Sequence, residues 1–326
     1  MTKAIQDILI LDRALNNSSV WMRSTISEAN WLIPVKNACR QEMLSWLDFI
    51  RKHPLPLLLR QPDQFNMPHC RALMERIRYV LSHGVRHAIL DRLPLDEMDT
   101  DEAKALGWIL CSMLARPVSQ KWNGTMVYDV RDEGNPYGIG TRASVTNVGL
   151  DFHTDAPFND FVPNYVVLLC LHSAESGGFS RVLSLASVHN ILRQRFKQHL
   201  SRLYQPFYFD RQQEHAPNKP RSWKYPIFAF DGQLHTRCNP TLIWNGYQLA
   251  GEVLDEEGEA ALTVFQEVLS DESLWWEGMI ERGQIQFLNN VNLAHTRTAF
   301  RDAEDPDLKR HMLRYWLRDE GTVFFL

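Results

Sequence analysis

Apolar positions in the first third of the chain recur at helical spacing. Farther along they gather in short blocks separated by turns. Lys36–His53 carries Ala38, Met43, Leu47 and Ile50 on roughly one helical face, and Pro68–His83 carries Leu73, Ile77, Val80 and Leu81. Thr100–Leu114 reads as a third helix, with Asp101 and Glu102 in the first turn, where acidic side chains favour the positive end of the helix dipole. Val85–Ile89 is a short strand candidate.

After Arg116 the pattern changes. Met126–Val130 and Ala143–Val148 are rich in β-branched residues and read as strands. Tyr165–Leu171 is a continuous apolar run, as expected of a strand covered on both faces. Arg181–Leu185 follows a Gly177-Gly178 turn. Ala186–His199 and Gly258–Leu269 read as helices, and Gln284–Leu288 and His311–Leu317 as strands. Phe207–Arg221 is polar and irregular, with Pro217 and Pro220, and reads as a mobile loop or lid. Trp275-Trp276, in a helix-to-strand connection, could line a pocket, but adjacent tryptophans there more often cap the core. Helices first, then strands with helical insertions, predict an α+β unit with a β-barrel or sandwich core. No linker divides residues 1–326, so a single domain is expected, helical to about residue 115 and β-rich beyond.

Composition narrows the function. Net charge is −4, with neither a basic balance nor an acidic tail, so no nucleic-acid partner is expected. The five cysteines are scattered, odd in number and without a CxxC pair, which fits free thiols in a reducing compartment. Asp7 and Asp12 interrupt the apolar part of the N-terminus, a poor signal peptide, and no 18-residue apolar run exists. These features lead us to expect a cytoplasmic protein with a small-molecule partner and no membrane association. No apolar surface stripe stands out, so a homo-oligomer is left open.

The chemistry concentrates in Gly149-Leu-Asp-Phe-His-Thr-Asp155 and Leu293-Ala-His295. His153, Asp155 and His295 make up the ligand set of a two-His, one-carboxylate metal site. A lone His-x-Asp/Glu means little, since roughly 1.4 such matches are expected by chance at this composition. In a strand, however, residues two apart point the same way, so His153 and Asp155 can grip one ion, and Pro157 ends regular pairing there. His295 follows the polar turn Asn289-Asn290-Val291-Asn292. The same set with water also describes catalytic zinc in a hydrolase, although no HExxH occurs, and a non-catalytic metal-binding protein stays open. Gly138-Ile-Gly140-Thr-Arg-Ala143 fits a dinucleotide fingerprint but runs into a strand-like segment rather than a helix.

If His311–Leu317 is a strand, Arg310, Met312, Arg314 and Trp316 share its inner face, while His311, Leu313, Tyr315 and Leu317 can pack on helices. Two inward guanidinium groups need anionic partners, either internal carboxylates or a small carboxylate ligand.

These pieces resemble the taurine dioxygenase/clavaminate synthase-like family of Fe(II)- and 2-oxoglutarate-dependent oxygenases, from about Trp31 to Leu317. The resemblance is carried by Phe152-His-Thr-Asp155, Tyr165–Leu171, Gly177-Gly-Phe-Ser180, Leu288-Asn-Asn290, His295-Thr-Arg-Thr-Ala-Phe300 and Arg310–Leu317. It implies a double-stranded β-helix (jelly-roll) core with N-terminal and inserted helices. It implies iron on His153, Asp155 and His295, and the distal carboxylate of 2-oxoglutarate on Arg310 with the Ser180 hydroxyl. Arg314 would help bind cosubstrate or an anionic substrate group, and Asn147 would lie on the segment lining the active site. The implied reaction uses O₂ to oxidise a C–H bond of a small polar substrate, such as an amino acid or carboxylate, and releases succinate and CO₂. Halogenating relatives lack the carboxylate, so Asp155 makes hydroxylation the default and desaturation the second outcome.

Overall fold

The computed structural model describes residues 9–321 apart from 135, 137 and 139–141. The three expected helices of the first part form at Asn37–Lys52, Pro68–His83 and Thr100–Leu114. The third starts where Asp99 accepts from the Glu102 amide while Glu102 reaches back to the Asp99 amide, a reciprocal cap. The first buries Met43, Trp46, Leu47 and Ile50 on one face. Each such side chain contributes about 1.5–3 kcal/mol when fully buried.

These helices cover one face of a seven-stranded sheet. Its order is Leu32–Pro34, His87–Asp91, Ile285–Asn289, Tyr165–His172, His311–Arg318 and Arg116–Val118, with Val127–Val130 also paired to His311–Arg318. Only the first pair is parallel. Strand alternation divides the side chains as expected. Leu313, Tyr315 and Leu317 join Val167, Leu169 and Phe287 in the helix-facing core. Arg310, Met312, Arg314 and Trp316 turn to the opposite face.

That opposite face looks toward a three-stranded sheet, Trp275–Gly278, Ser180–Ser184 and Leu293–Arg297, itself backed by Leu185–Arg195, Lys197–Leu203 and Glu256–Leu269. The result is a jelly-roll core of two facing sheets with helical additions, not hydrogen-bonded into a closed barrel among the described residues. Among the described residues, no helix is long and apolar enough to cross a membrane. All five cysteines are buried and free.

Several local expectations change. Ala143–Val148 is not a strand. Ala143–Val145 is a 3-10 turn, and the Thr146 and Val148 carbonyls accept from the Arg297 guanidinium instead of from a neighbouring strand. A β-rich stretch stays out of a sheet when a side chain satisfies its backbone. Ile139, Gly140 and Thr141 of the fingerprint-like run lie outside the described residues, and only the short 3-10 turn, not an α-helix, follows it. The helix expected over Ala186–His199 breaks at Phe196 into Leu185–Arg195 and Lys197–Leu203. Phe207–Arg221 is partly regular, since Phe207–Asp210 pairs with Ser222–Tyr225 and only the connection between them is a loop. Trp275 and Trp276 lie in a strand rather than a connection.

Candidate active site

His153 and His295 meet across a two-residue bridge. Each backbone N–H donates to the other's carbonyl at 2.9 Å. His153 therefore does not sit in a regular strand, as expected from the His-x-Asp spacing; this single bridge to the Leu293–Arg297 strand positions it. Asp155 follows in a turn that continues through Ala156 at φ +52° and Pro157. Its backbone is clamped by Asn290, whose side-chain oxygen accepts from the Asp155 N–H at 2.7 Å and whose amide donates to the Asp155 carbonyl at 3.1 Å.

The three candidate ligands converge, with one ligand atom from each within 4.8 Å of the others. Asp155 Oδ1 is 3.5 Å from His153 Nε2 and 3.6 Å from His295 Nε2. These spacings suit atoms that each bond one ion at about 2.1 Å. His153 Nδ1–H donates to the Asp151 carbonyl at 2.9 Å, which leaves Nε2 with its lone pair toward the cluster. Burial first, then the neighbouring His153, push His295 down to about 3, so it is a neutral donor. Burial alone would favour the protonated form of Asp155. The Arg314 guanidinium and the two histidines outweigh it and hold the carboxyl well below the usual carboxylate range. Two imidazoles and a carboxylate fit a divalent metal.

Asp155 Oδ2 is already engaged. It accepts from Trp316 Nε1 at 2.6 Å and lies 3.1 Å from Arg314 Nη1. Arg314 also donates to Gln120 Oε1 at 2.8 Å and lies between the Tyr128 and Trp316 rings. Its charge is thus met by Asp155, the internal-carboxylate alternative of the two that the sequence left open for the inward guanidinium groups.

The Arg310 guanidinium makes no ion pair with a carboxylate among the described residues; its Nη2 donates to Met312 Sδ at 2.8 Å, and only its backbone N–H reaches the Asp302 carboxylate. Arg310 is 7% exposed, and Nη1 is buried without a hydrogen-bond partner among the described residues. Burial lowers its pKa. Ser180, 9% exposed, lines the same cavity, with its hydroxyl 3.1 Å from Gln286 Oε1. An unmatched buried guanidinium and a hydroxyl that line one cavity with the metal cluster have the chemistry to suit a small carboxylate. Asn147 is not brought to this cavity. It is exposed, and its carbonyl accepts from the Phe300 N–H.

Two residues were missed from the sequence. Arg297, two positions after His295 and therefore on the same strand face, lines the cavity and braces Thr146 and Val148. Burial and the nearby Arg310 push it down to about 9. Arg142 pairs with Glu214 at 2.6 Å and ties the 211–221 loop to the cavity rim. The Arg297 spacing was a readable signal. No local signal marks Arg142.

The model of the taurine catabolism dioxygenase TauD, TfdA family matches residues 54–316, and the chain belongs to that family. FR-33289 synthase of Streptomyces rubellomurinus is 27% identical over 317 residues, covering 96% of this chain and 92% of that protein. Among solved structures, asparagine oxygenase in complex with Fe(II), 2S,3S-3-hydroxyasparagine and succinate superposes with a TM-score of 0.66 at 16% identity, covering 89% of this chain and 94% of that one. The non-heme iron oxygenase OrfP with Fe and alpha-ketoglutaric acid gives 0.66 at 14% identity over the same shares. At these identities the structural likeness speaks for the fold.

Proposed function

We propose that this chain is an Fe(II)- and 2-oxoglutarate-dependent dioxygenase that hydroxylates a C–H bond of a small polar substrate, an amino acid or a related carboxylate. The observation that carries this reading is one cavity holding both the His153, Asp155 and His295 cluster and the unpartnered Nη1 of Arg310. A hydrolytic zinc site has no use for that guanidinium. The complexes of asparagine oxygenase with 2S,3S-3-hydroxyasparagine and of OrfP with (3S)-hydroxy-L-Arg support an amino-acid substrate. Residues 1–326 are read as one dioxygenase domain, and the buried free thiols suit a cytoplasmic enzyme.

When bound, iron with 2-oxoglutarate and O₂ supplies the oxidant for the C–H bond, and 2-oxoglutarate leaves as succinate and CO₂. His153 Nε2, Asp155 Oδ1 and His295 Nε2 would hold the iron. Arg310 and Ser180 would orient the cosubstrate through its distal carboxylate. Trp316 and Arg314 keep Asp155 ionised and aimed. The rim formed by Arg142, Gln212, Asn239 and Thr241 is left for the primary substrate, with the loop tied down by Glu214 limiting water entry.

An anaerobic titration with Fe(II) and then 2-oxoglutarate tests this. A visible metal-to-ligand charge-transfer band is expected in wild type and not in His153→Ala. Wild-type protein that binds Zn(II) and shows no band with Fe(II) and 2-oxoglutarate would overturn it.

A further inference from the structure

Two fully buried polar side chains stand behind Ser180 and have no role in the reading above. Gln286 lies on the Ile285–Asn289 strand and His87 on the neighbouring His87–Asp91 strand. Gln286 pairs in register with Ile89, so strand alternation turns Gln286 and His87 to the same, cavity-facing side. The His87 ring lies 6.0 Å from that of Trp31 and 4.8 Å from that of Trp276. Burial pushes it down to about 3, so the ring is neutral.

A neutral imidazole offers one donor and one acceptor nitrogen, a carboxamide has a donor end and an acceptor end, and a serine hydroxyl has one proton. Gln286 Nε2 faces His87 Nε2 at 3.2 Å, and Gln286 Oε1 takes the Ser180 proton at 3.1 Å. This arrangement has two costs. Ser180 has no proton left for an anion beside Arg310. His87 must carry its own proton on Nδ1, which is buried without a partner among the described residues.

A half-turn of the carboxamide exchanges its oxygen and nitrogen at nearly the same positions. His87 Nε2–H then donates to Oε1, the amide nitrogen donates to Ser180 Oγ, and the hydroxyl proton is released toward the cavity. Nδ1 is left with an unmet lone pair rather than an unmet N–H, the less costly group to bury.

We infer that Gln286, oriented by His87, is a positioning residue of the cosubstrate subsite that turns the Ser180 hydroxyl proton toward the distal carboxylate of 2-oxoglutarate. The inference rests on the assignment of Arg310 and Ser180 to that carboxylate. It gives a reason for burying a glutamine and a histidine among aromatic rings, where an apolar pair would avoid the desolvation cost.

The test compares two 2-oxo acids on anaerobic Fe(II)-loaded protein, with binding read from the charge-transfer band. One is 2-oxoglutarate and the other is 2-oxopentanoate, which lacks the distal carboxylate. Gln286→Leu is expected to weaken 2-oxoglutarate about tenfold, the worth of one hydrogen bond to a charged group. Gln286→Glu is expected to weaken it further, because both carboxylate oxygens accept and draw the Ser180 proton away. Neither change should alter 2-oxopentanoate binding. Equal weakening of both acids would mark general damage to the site and overturn the inference. Ser180→Ala separates the two levels. If it weakens 2-oxoglutarate while Gln286→Leu does not, the subsite stands and the role of Gln286 falls. If Ser180→Ala has no effect, the subsite assignment itself falls.

Discussion

The indole Nε1 of Trp316 donates to Asp155 Oδ2 at 2.6 Å, on the side of the carboxylate away from the histidines. Oδ1 is thereby left facing His153 and His295. Partners of this kind orient a metal ligand and typically affect metal affinity by about ten- to a hundredfold. Trp316→Phe keeps a large ring and removes the donor. Fe(II) affinity, measured anaerobically, should drop within that range while the circular dichroism spectrum is unchanged. Unaltered affinity would show that Arg314 alone orients Asp155.

Arg310→Lys keeps the charge but loses the planar fork that matches a carboxylate. Hydrogen bonds to charged groups contribute about 1.5–3 kcal/mol, so 2-oxoglutarate binding should weaken roughly ten- to a hundredfold. Calorimetric titration of the metal-loaded variant would measure it. Wild-type affinity would exclude a bidentate grip.

Gly246→Ala sets helix propensity against packing. Alanine is favoured by about 1 kcal/mol inside a helix. Gly246, within Pro240–Ala250, faces the Phe207–Asp210 strand so closely that a Cβ would fall 2.3 Å from the Tyr208 carbonyl oxygen. Backbone cannot yield cheaply, so a net loss of about 1–3 kcal/mol is expected from overpacking. A rise in the urea midpoint would refute the close approach.

Asp255 caps Glu256–Leu269 by accepting from the Gly258 N–H, and it pairs with the buried Arg202 at 2.7 Å. The Arg202 hydrogen bond is the main reason its pKa falls to about 2 from an ordinary 3.8. A carboxyl depressed in the folded state adds stability above its unfolded pKa, which is lost as pH falls through the folded one. Asp255→Asn keeps the cap but not the charge. The wild type should therefore be more stable than this variant at pH 6, and the gap should close between about pH 4 and pH 2. A gap independent of pH would assign the difference to packing.

Glu214→Ala leaves Arg142 buried without its carboxylate. Removing one member of a buried pair typically costs about 3–5 kcal/mol, and here the strain can be relieved by opening the loop. Limited trypsin digestion should then cut first at Arg211 or Arg221. Identical digestion of variant and wild type would mean that the ion pair does not hold the loop.

Where local chemistry decides, the chain was readable. Pro68–His83 and Thr100–Leu114 form at the expected bounds, because apolar spacing and end residues act within a few turns. The metal cluster was legible from residue types in order along the chain, though the strand argument for His153 and Asp155 gave way to a single bridge. Ala143–Val148 misled because its β-rich composition does not reveal that Arg297 takes its carbonyls.

The sequence by itself determined the helical layer, the apolar strands, the alternating faces of His311–Arg318 and the ligand types of the site, all set by periodicities of a few residues. Only the tertiary structure decided that Arg314 spends its charge on Asp155 while Arg310 keeps an unmatched nitrogen, and that Gln286 stands between His87 and Ser180. Both sets of contacts join strands far apart in sequence. Which buried polar groups meet depends on sheet order and register, and neither is written in any one segment of the chain.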